Sequence, residues 1–340
     1  MHAVSVPDDH GTHAGTVPLL SPEPTPSLES DTVAAPISRR TLLRAAGTTS
    51  IAALLAACSS SDPTTEDTPT EDASSAPPSA EDIGNQAISA AGLDATATLT
   101  PIIATFEVLT GATGRIPFGV LDGEQQPMLD RDVQVWVVGD GEVVAGPIEP
   151  LFYGEGLGQR GIYVADVELE APGLYDAVVQ VDGEQVGVAA FSARTPEQST
   201  TYPPGTTFPV VATPTQDDPG AVEDLCTREP ECSMHGTSLD AALGTGTVVL
   251  TVATPRFCQT AVCGPVVDVL EDVKADLGDA ATFIHAEVYN DAGVTPTDVV
   301  NELELPSEPW TWVIGADGVV IDRFDGPVVP SLVRDAVERA

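Results

Sequence analysis

The chain has 340 residues, and its 42% hydrophobic content is enough to bury real cores. That length leaves room for an export region and two domains of roughly 100–150 residues each. A formal net charge of -39 with only 13 lysines and arginines leaves no basic footprint to neutralise phosphates, which argues against a nucleic-acid partner and disfavours anionic lipid surfaces.

Residues 1–37 are rich in Pro, Ser, Thr, His and acidic side chains without periodicity and read as a disordered extension. Next come Ser38-Arg39-Arg40-Thr41-Leu42-Leu43 and an apolar stretch that ends at Ala57. This stretch is too short for a membrane span of roughly 20 residues. With Arg39 and Arg40 in front of it, the segment 38–58 resembles a twin-arginine export signal. Leu55-Ala56-Ala57-Cys58 resembles the bacterial lipobox. That resemblance implies acylation of Cys58, removal of the export signal, and an exported protein held by lipid on the extracytoplasmic side of the cell membrane. Residues 59–98 are for the most part Ser, Thr, Pro, Asp and Glu and read as a mostly disordered acidic tether.

From 99 to 193 the pattern alternates with period two. Val133, Val135 and Val137 share one face, and Tyr175, Ala177, Val179 and Val181 repeat the period. Turn signals at Asp122-Gly123, Gly139-Asp140-Gly141, Pro172-Gly173 and Asp182-Gly183 have the spacing of an all-β sandwich. The segment resembles a small bacterial immunoglobulin-like domain, which suits a spacer or docking module. Thr195-Pro196 and Pro203-Pro204-Gly205 mark 194–207 as a linker.

The last domain, 208–340, contains two cysteine pairs. Cys226 and Cys232 lie in a polar loop with Met234 and His235. A close pair in an exported protein is expected to form a structural disulfide, while Cys, Met and His together also suit copper. Val248–Val252 is an apolar run of strand length. A loop with Cys258 and Cys263 follows, and after Gly264-Pro265 the residues Val266, Val267, Val269, Leu270, Val273 and Leu277 recur with helical spacing. Two thiols there can exchange two electrons as a disulfide, and a helix N-terminus favours the thiolate. Residues five apart in a regular helix are separated by about 7.5 Å along the axis, beyond the roughly 7 Å Cα limit for a disulfide. Helix is therefore expected to begin near Gly264, with Cys258 folding back from the loop. Thr282 to Tyr289 reads as a strand carrying His285, 297–305 as a short helix, Trp310 onward as two strands about Asp317-Gly318, and 330–340 as a terminal helix.

This order of strand, cysteine loop and helix resembles the thioredoxin-like α/β fold, especially its TlpA-type members, although Cys-x4-Cys is two residues longer than the usual Cys-x-x-Cys. The resemblance implies a thiol-disulfide oxidoreductase in which Cys258 is the nucleophile, Cys263 resolves the mixed disulfide, and Pro309 is a cis proline facing substrate. Protein thiols or a membrane redox partner would be the substrates, and no cofactor is expected. Phe257-Cys258, Val262-Cys263 and Pro265 also resemble the Sco copper-chaperone loop. That alternative implies copper, with Cys258, Cys263, His285, Met234 and His235 as possible ligands, but the histidine that family places near the Pro309 strand is missing. A third alternative is a non-catalytic envelope lipoprotein with structural disulfides.

Overall fold

The computed structural model describes residues 79–155, 160–258 and 262–340. Arg39, Arg40 and Cys58, with the extension, export-signal and most of the tether expectations, lie outside them. Strands in three sheets dominate the regular structure, and helices are few.

The first element is helix α1 (Ala80–Ala90). It corrects the expectation that the tether extends to residue 98. Ser79 and Asp82 form a capping box that satisfies two donors at its start, and Ala87 and Ile88 bury one face against Trp136, Val138, Val178 and Val186. Nine strands follow: β1 (Thr100–Ile103), β2 (Val108–Leu109), β3 (Thr113–Leu121), β4 (Val133–Gly139), β5 (Glu142–Ile148), β6 (Leu151–Tyr153), β7 (Ile162–Glu168), β8 (Gly173–Val181) and β9 (Gln185–Arg194). They form sheets ordered β1-β3-β7-β6 and β2-β9-β8-β4-β5. Val133, Val135, Val137, Ala177, Val179 and Val181 fill the core between the sheets with Ile116, Phe118 and Tyr163. The intervening Trp136, Val138 and Val178 are also buried, because α1 covers the outer face.

The remaining elements are α2 (Leu239–Ala242), β10 (Val248–Val252), α3 (Cys263–Leu277), β11 (Thr282–Ala286), α4 (Asp298–Glu302), β12 (Trp310–Ile314), β13 (Val320–Asp325) and α5 (Pro330–Glu338). The sheet order is β11-β10-β12-β13; β10 runs parallel to β11 and antiparallel to β12. Every residue of β10 is buried, as its mainly apolar run requires of a strand covered on both faces, and its one polar side chain, Thr251, is satisfied by the Thr311 hydroxyl at 2.9 Å. One face packs on Val266, Val267, Leu270 and Val273 of α3 and Val333 of α5. The other packs on Phe208, Leu239, Val299, Trp310 and Trp312.

The 194–207 segment is packed rather than loose. Ser199 and Thr201 hydroxyls accept hydrogen bonds from Arg323, and the Tyr202 carbonyl accepts one from the Trp312 indole at 3.1 Å. Beside them Arg323 pairs with Glu107 of the sandwich at 3.0 Å, and the Asp325 carboxylate accepts from Thr105 Oγ1 and from the backbone N–H groups of Phe106 and Glu107.

Candidate functional site

The loop that carries Cys258 and Cys263 leaves the end of β10. Thr254 is buried, Cys258 is half-buried and donates its backbone N–H to the Thr254 carbonyl at 3.2 Å, and Cys263 is the first residue of α3. Pro265 sits in that first turn, where its missing N–H costs nothing. Cys258 and Cys263 are joined as a disulfide with Cα atoms 6.1 Å apart. Separation this short is possible because only Cys263 belongs to regular helix. Cys263 is 0% exposed, so the accessible end of the disulfide is Cys258.

Glu308 is the side chain that sequence reasoning missed. Its Oε2 lies 3.5 Å from Cys263 Sγ and accepts the Thr254 backbone N–H at 3.0 Å. Burial, opposed by that hydrogen bond and reinforced by the charge of Glu287, raises its pKa to about 7. The signal for it in the sequence was a carboxylate directly before Pro309. Pro309 is buried at the head of β12, and the Glu308–Pro309 peptide is cis. A mainly apolar groove of about 310 Å³ opens beside the loop, lined by Val262 and Pro265 together with Ile102, Leu129 and Pro327.

The second cysteine pair differs from expectation. Cys226 and Cys232 are both free thiols and buried, so the expected structural disulfide is not formed. Their sulfurs face ring nitrogens instead: Cys232 Sγ lies 3.2 Å from His235 Nε2 and 3.4 Å from His285 Nδ1, and Cys226 Sγ lies 3.8 Å from the same Nδ1. The Cys232 backbone N–H also donates to Cys226 Sγ at 3.3 Å. Hydrogen bonding from the Cys232 thiol, opposed by burial, pulls the Cys226 thiol far below its ordinary value, and the same contact together with burial pushes Cys232 up.

The alternative copper ligand set is likewise corrected. His235 and His285 do not join Cys258 and Cys263; they join Cys226 and Cys232, while the redox pair meets Glu308. The strand register explains the separation, since His285 on β11 points to the α3 face beneath the Cys226 loop, and Met234 packs into the apolar cluster around Val249 and Leu270. The two centres are linked through buried polar groups. Glu287 accepts the Thr227 N–H at 2.6 Å, Thr227 Oγ1 lies 3.4 Å from Thr254 Oγ1, and Thr254 reaches Glu308.

No protein-family profile matches the chain, and no curated protein matches it. Solved structures that match include a DsbF homologue from Corynebacterium diphtheriae, 19% identical, covering 43% of this chain and 97% of that one with a TM-score of 0.31. The Lin-41 filamin domain is 17% identical, covering 29% of this chain and 93% of that one with a TM-score of 0.21. A ZirS C-terminal domain is 12% identical, covering 49% and 97% respectively with a TM-score of 0.20.

Proposed function

We propose that residues 208–340 are a thioredoxin-like α/β domain acting as a thiol-disulfide oxidoreductase, carried behind an immunoglobulin-like sandwich on an exported, lipid-anchored chain. The observation that carries this reading is the Cys258–Cys263 disulfide at the start of α3, with one accessible end, one buried end and the Glu308 carboxyl 3.5 Å from the buried sulfur. Exchange proceeds by attack of a thiolate along the disulfide axis, and the better leaving group is the sulfur whose negative charge is better stabilised. A substrate thiolate reaches Cys258 Sγ and forms a mixed disulfide there. The S–S bond to Cys263 breaks, and its electron pair goes to Cys263 Sγ, where the positive end of α3 stabilises charge by up to about 2 kcal/mol in a partly buried setting.

Protonated Glu308 then supplies the proton that converts the departing thiolate to a thiol. A second substrate thiolate attacks the mixed disulfide, leaving the substrate oxidised by two electrons and Cys258 and Cys263 reduced. Run in reverse, ionised Glu308 takes the proton from Cys263, and Cys263 resolves the mixed disulfide on Cys258. Pro309, directly after Glu308, has the substrate-facing role that the family resemblance implies, and the groove by Val262 and Pro265 offers apolar surface to a polypeptide substrate.

The test is disulfide exchange by the full chain on a disulfide-containing protein. Cys258→Ser should abolish turnover. Cys263→Ser should also stop turnover but accumulate a mixed disulfide on Cys258, detectable by mass spectrometry. Turnover that survives Cys258→Ser would refute the reading.

A further inference from the structure

Outside the redox pair, one other group of side chains has chemistry that the proposed exchange does not use. Cys226, Cys232, His235 and His285 are 6%, 4%, 2% and 0% exposed, and their ligand atoms all lie within 4.8 Å of one another. We infer that these four residues form a closed tetrahedral Cys2His2 site for a zinc ion, distinct from the redox disulfide.

Distance is the first argument. With Zn–S near 2.3 Å and Zn–N near 2.0–2.1 Å, a tetrahedral set has ligand atoms about 3.3–3.8 Å apart. Three of the six ligand-atom separations, sulfur to nitrogen at 3.2, 3.4 and 3.8 Å, are close to that edge length, and the remaining pairs lie within 4.8 Å, so a small inward movement brings all four to coordination spacing.

Orientation is the second. His285 Nε2 lies 3.0 Å from the Ala253 carbonyl, which can only accept, so Nε2 bears the hydrogen and the Nδ1 lone pair is aimed at the two sulfurs. The Ala253 carbonyl is thus the outer partner that fixes the ring, and the Glu287 carboxylate stands 3.9 Å from the same Nε2, beyond hydrogen-bond distance.

The loop is also held in place. Ser233 donates its N–H to Glu271 and accepts from Lys274 on α3, and the Met234 carbonyl accepts the His285 N–H at 2.9 Å. Two covalently distant segments are thereby fixed around one point.

Charge selects the ion. Two thiolates and two neutral imidazoles around Zn2+ sum to zero, so the loaded site carries no net charge into a buried position, whereas Cu(I) with the same donors leaves one negative charge beside Glu287. Binding releases the two thiol protons to solvent, and no electron is transferred. With all four positions filled by protein, the ion has no open site for substrate, and its role is to brace the Cys226 loop behind Thr254 and Cys258.

The experiment measures metal in the full chain purified without chelator, and then exchanges the ion for Co2+. One zinc per chain is expected, together with the visible bands of tetrahedral thiolate-ligated cobalt. The double variant Cys258→Ser, Cys263→Ser should keep the full complement, which separates failure of this site from failure of the redox reading. His235→Ala should lower zinc affinity by at least the roughly 10–100-fold that loss of an outer partner alone costs, and His235→Cys should restore it. Circular dichroism and the tryptophan emission of each variant establish that it is folded. Folded parent holding no more zinc than His235→Ala, a Cys226–Cys232 disulfide in the chain isolated without reductant, or preferential retention of Cu(I) would each overturn the assignment.

Discussion

At the scale of single residues, the proposed exchange assigns Glu308 the handling of the proton at Cys263. Its pKa of about 7 means the carboxyl is protonated on the acid side, where it can donate to a departing Cys263 thiolate, and ionised on the alkaline side, where it can accept the Cys263 proton. Resolution of a mixed disulfide by Cys263 should therefore accelerate as pH rises through about 7. Glu308→Gln should flatten that profile and slow the step by roughly 10²-fold, the lower end of what a positioned base contributes. Rapid-mixing measurement of the step between pH 5 and 9 decides this, and an unchanged profile in the variant would remove Glu308 from the mechanism. Stability has the matching sign. A carboxyl raised from 4.5 to about 7 contributes stability that is complete below the lower value and lost as pH rises through the upper one, so denaturation midpoints of the parent should fall across that window more than those of Glu308→Gln.

Among the elements, α1 has the least obvious reason to exist. Its apolar positions are few, and Glu81 and Asp82 continue the acidity of the preceding tract, yet both stand in the first turn, where negative charge is favoured by the helix dipole. What holds it is burial of Ala87 and Ile88 on the outer face of β4 and β8. Ile88→Ala should remove about 2–5 kcal/mol of packing if the helix stays docked. Because a short helix held by so few buried side chains can detach locally, the expected outcome is loss of amide exchange protection over residues 80–90 with redox turnover unchanged. Full protection in the variant would show that the side chain does not hold the helix. The α3 start is the opposite case, since Pro265 near the N-terminus and Gly278 at the C-terminal end, with φ 56°, mark both limits with residues suited to those positions.

Across the molecule, the sandwich and the domain with the redox loop share a polar seam rather than a bare linker. Arg323 pairs with Glu107 while both are almost fully buried, and its guanidinium lies 5.2 Å from the centre of the Trp310 ring, so the charge is matched by an opposite charge, hydroxyls and an aromatic face. Trp310 begins the strand that follows Glu308 and Pro309, so the seam reaches the strand end next to the Glu308 carboxylate. At the far end, the export and anchoring proposal rests on Arg39, Arg40 and Cys58, and among the described residues no helix is long and apolar enough to cross a membrane. Cys58→Ala should release an exported soluble form, and Arg39→Lys with Arg40→Lys should retain precursor inside the cell. Detergent partitioning of Cys58→Ala with the membrane fraction would end the lipid-anchor reading.

The sequence by itself determined whatever depends on neighbours along the chain. Period two marked β4 and β8, the short, mainly apolar run marked β10 as a buried strand, and Pro265 with the five-residue separation of Cys258 and Cys263 put the expected helix start near Gly264, one residue from the observed start at Cys263. Tertiary structure alone decided which distant groups meet. Cys226 and Cys232 read as a disulfide from spacing, but β11 brings His285 under their loop and turns both sulfurs to ring nitrogens. Glu308 looked like an ordinary carboxylate until the pairing of β10 with β12 placed it against Thr254 and Cys263. The physical reason is that periodicity and turn chemistry are local, whereas strand register and desolvation belong to segments that become neighbours only on folding.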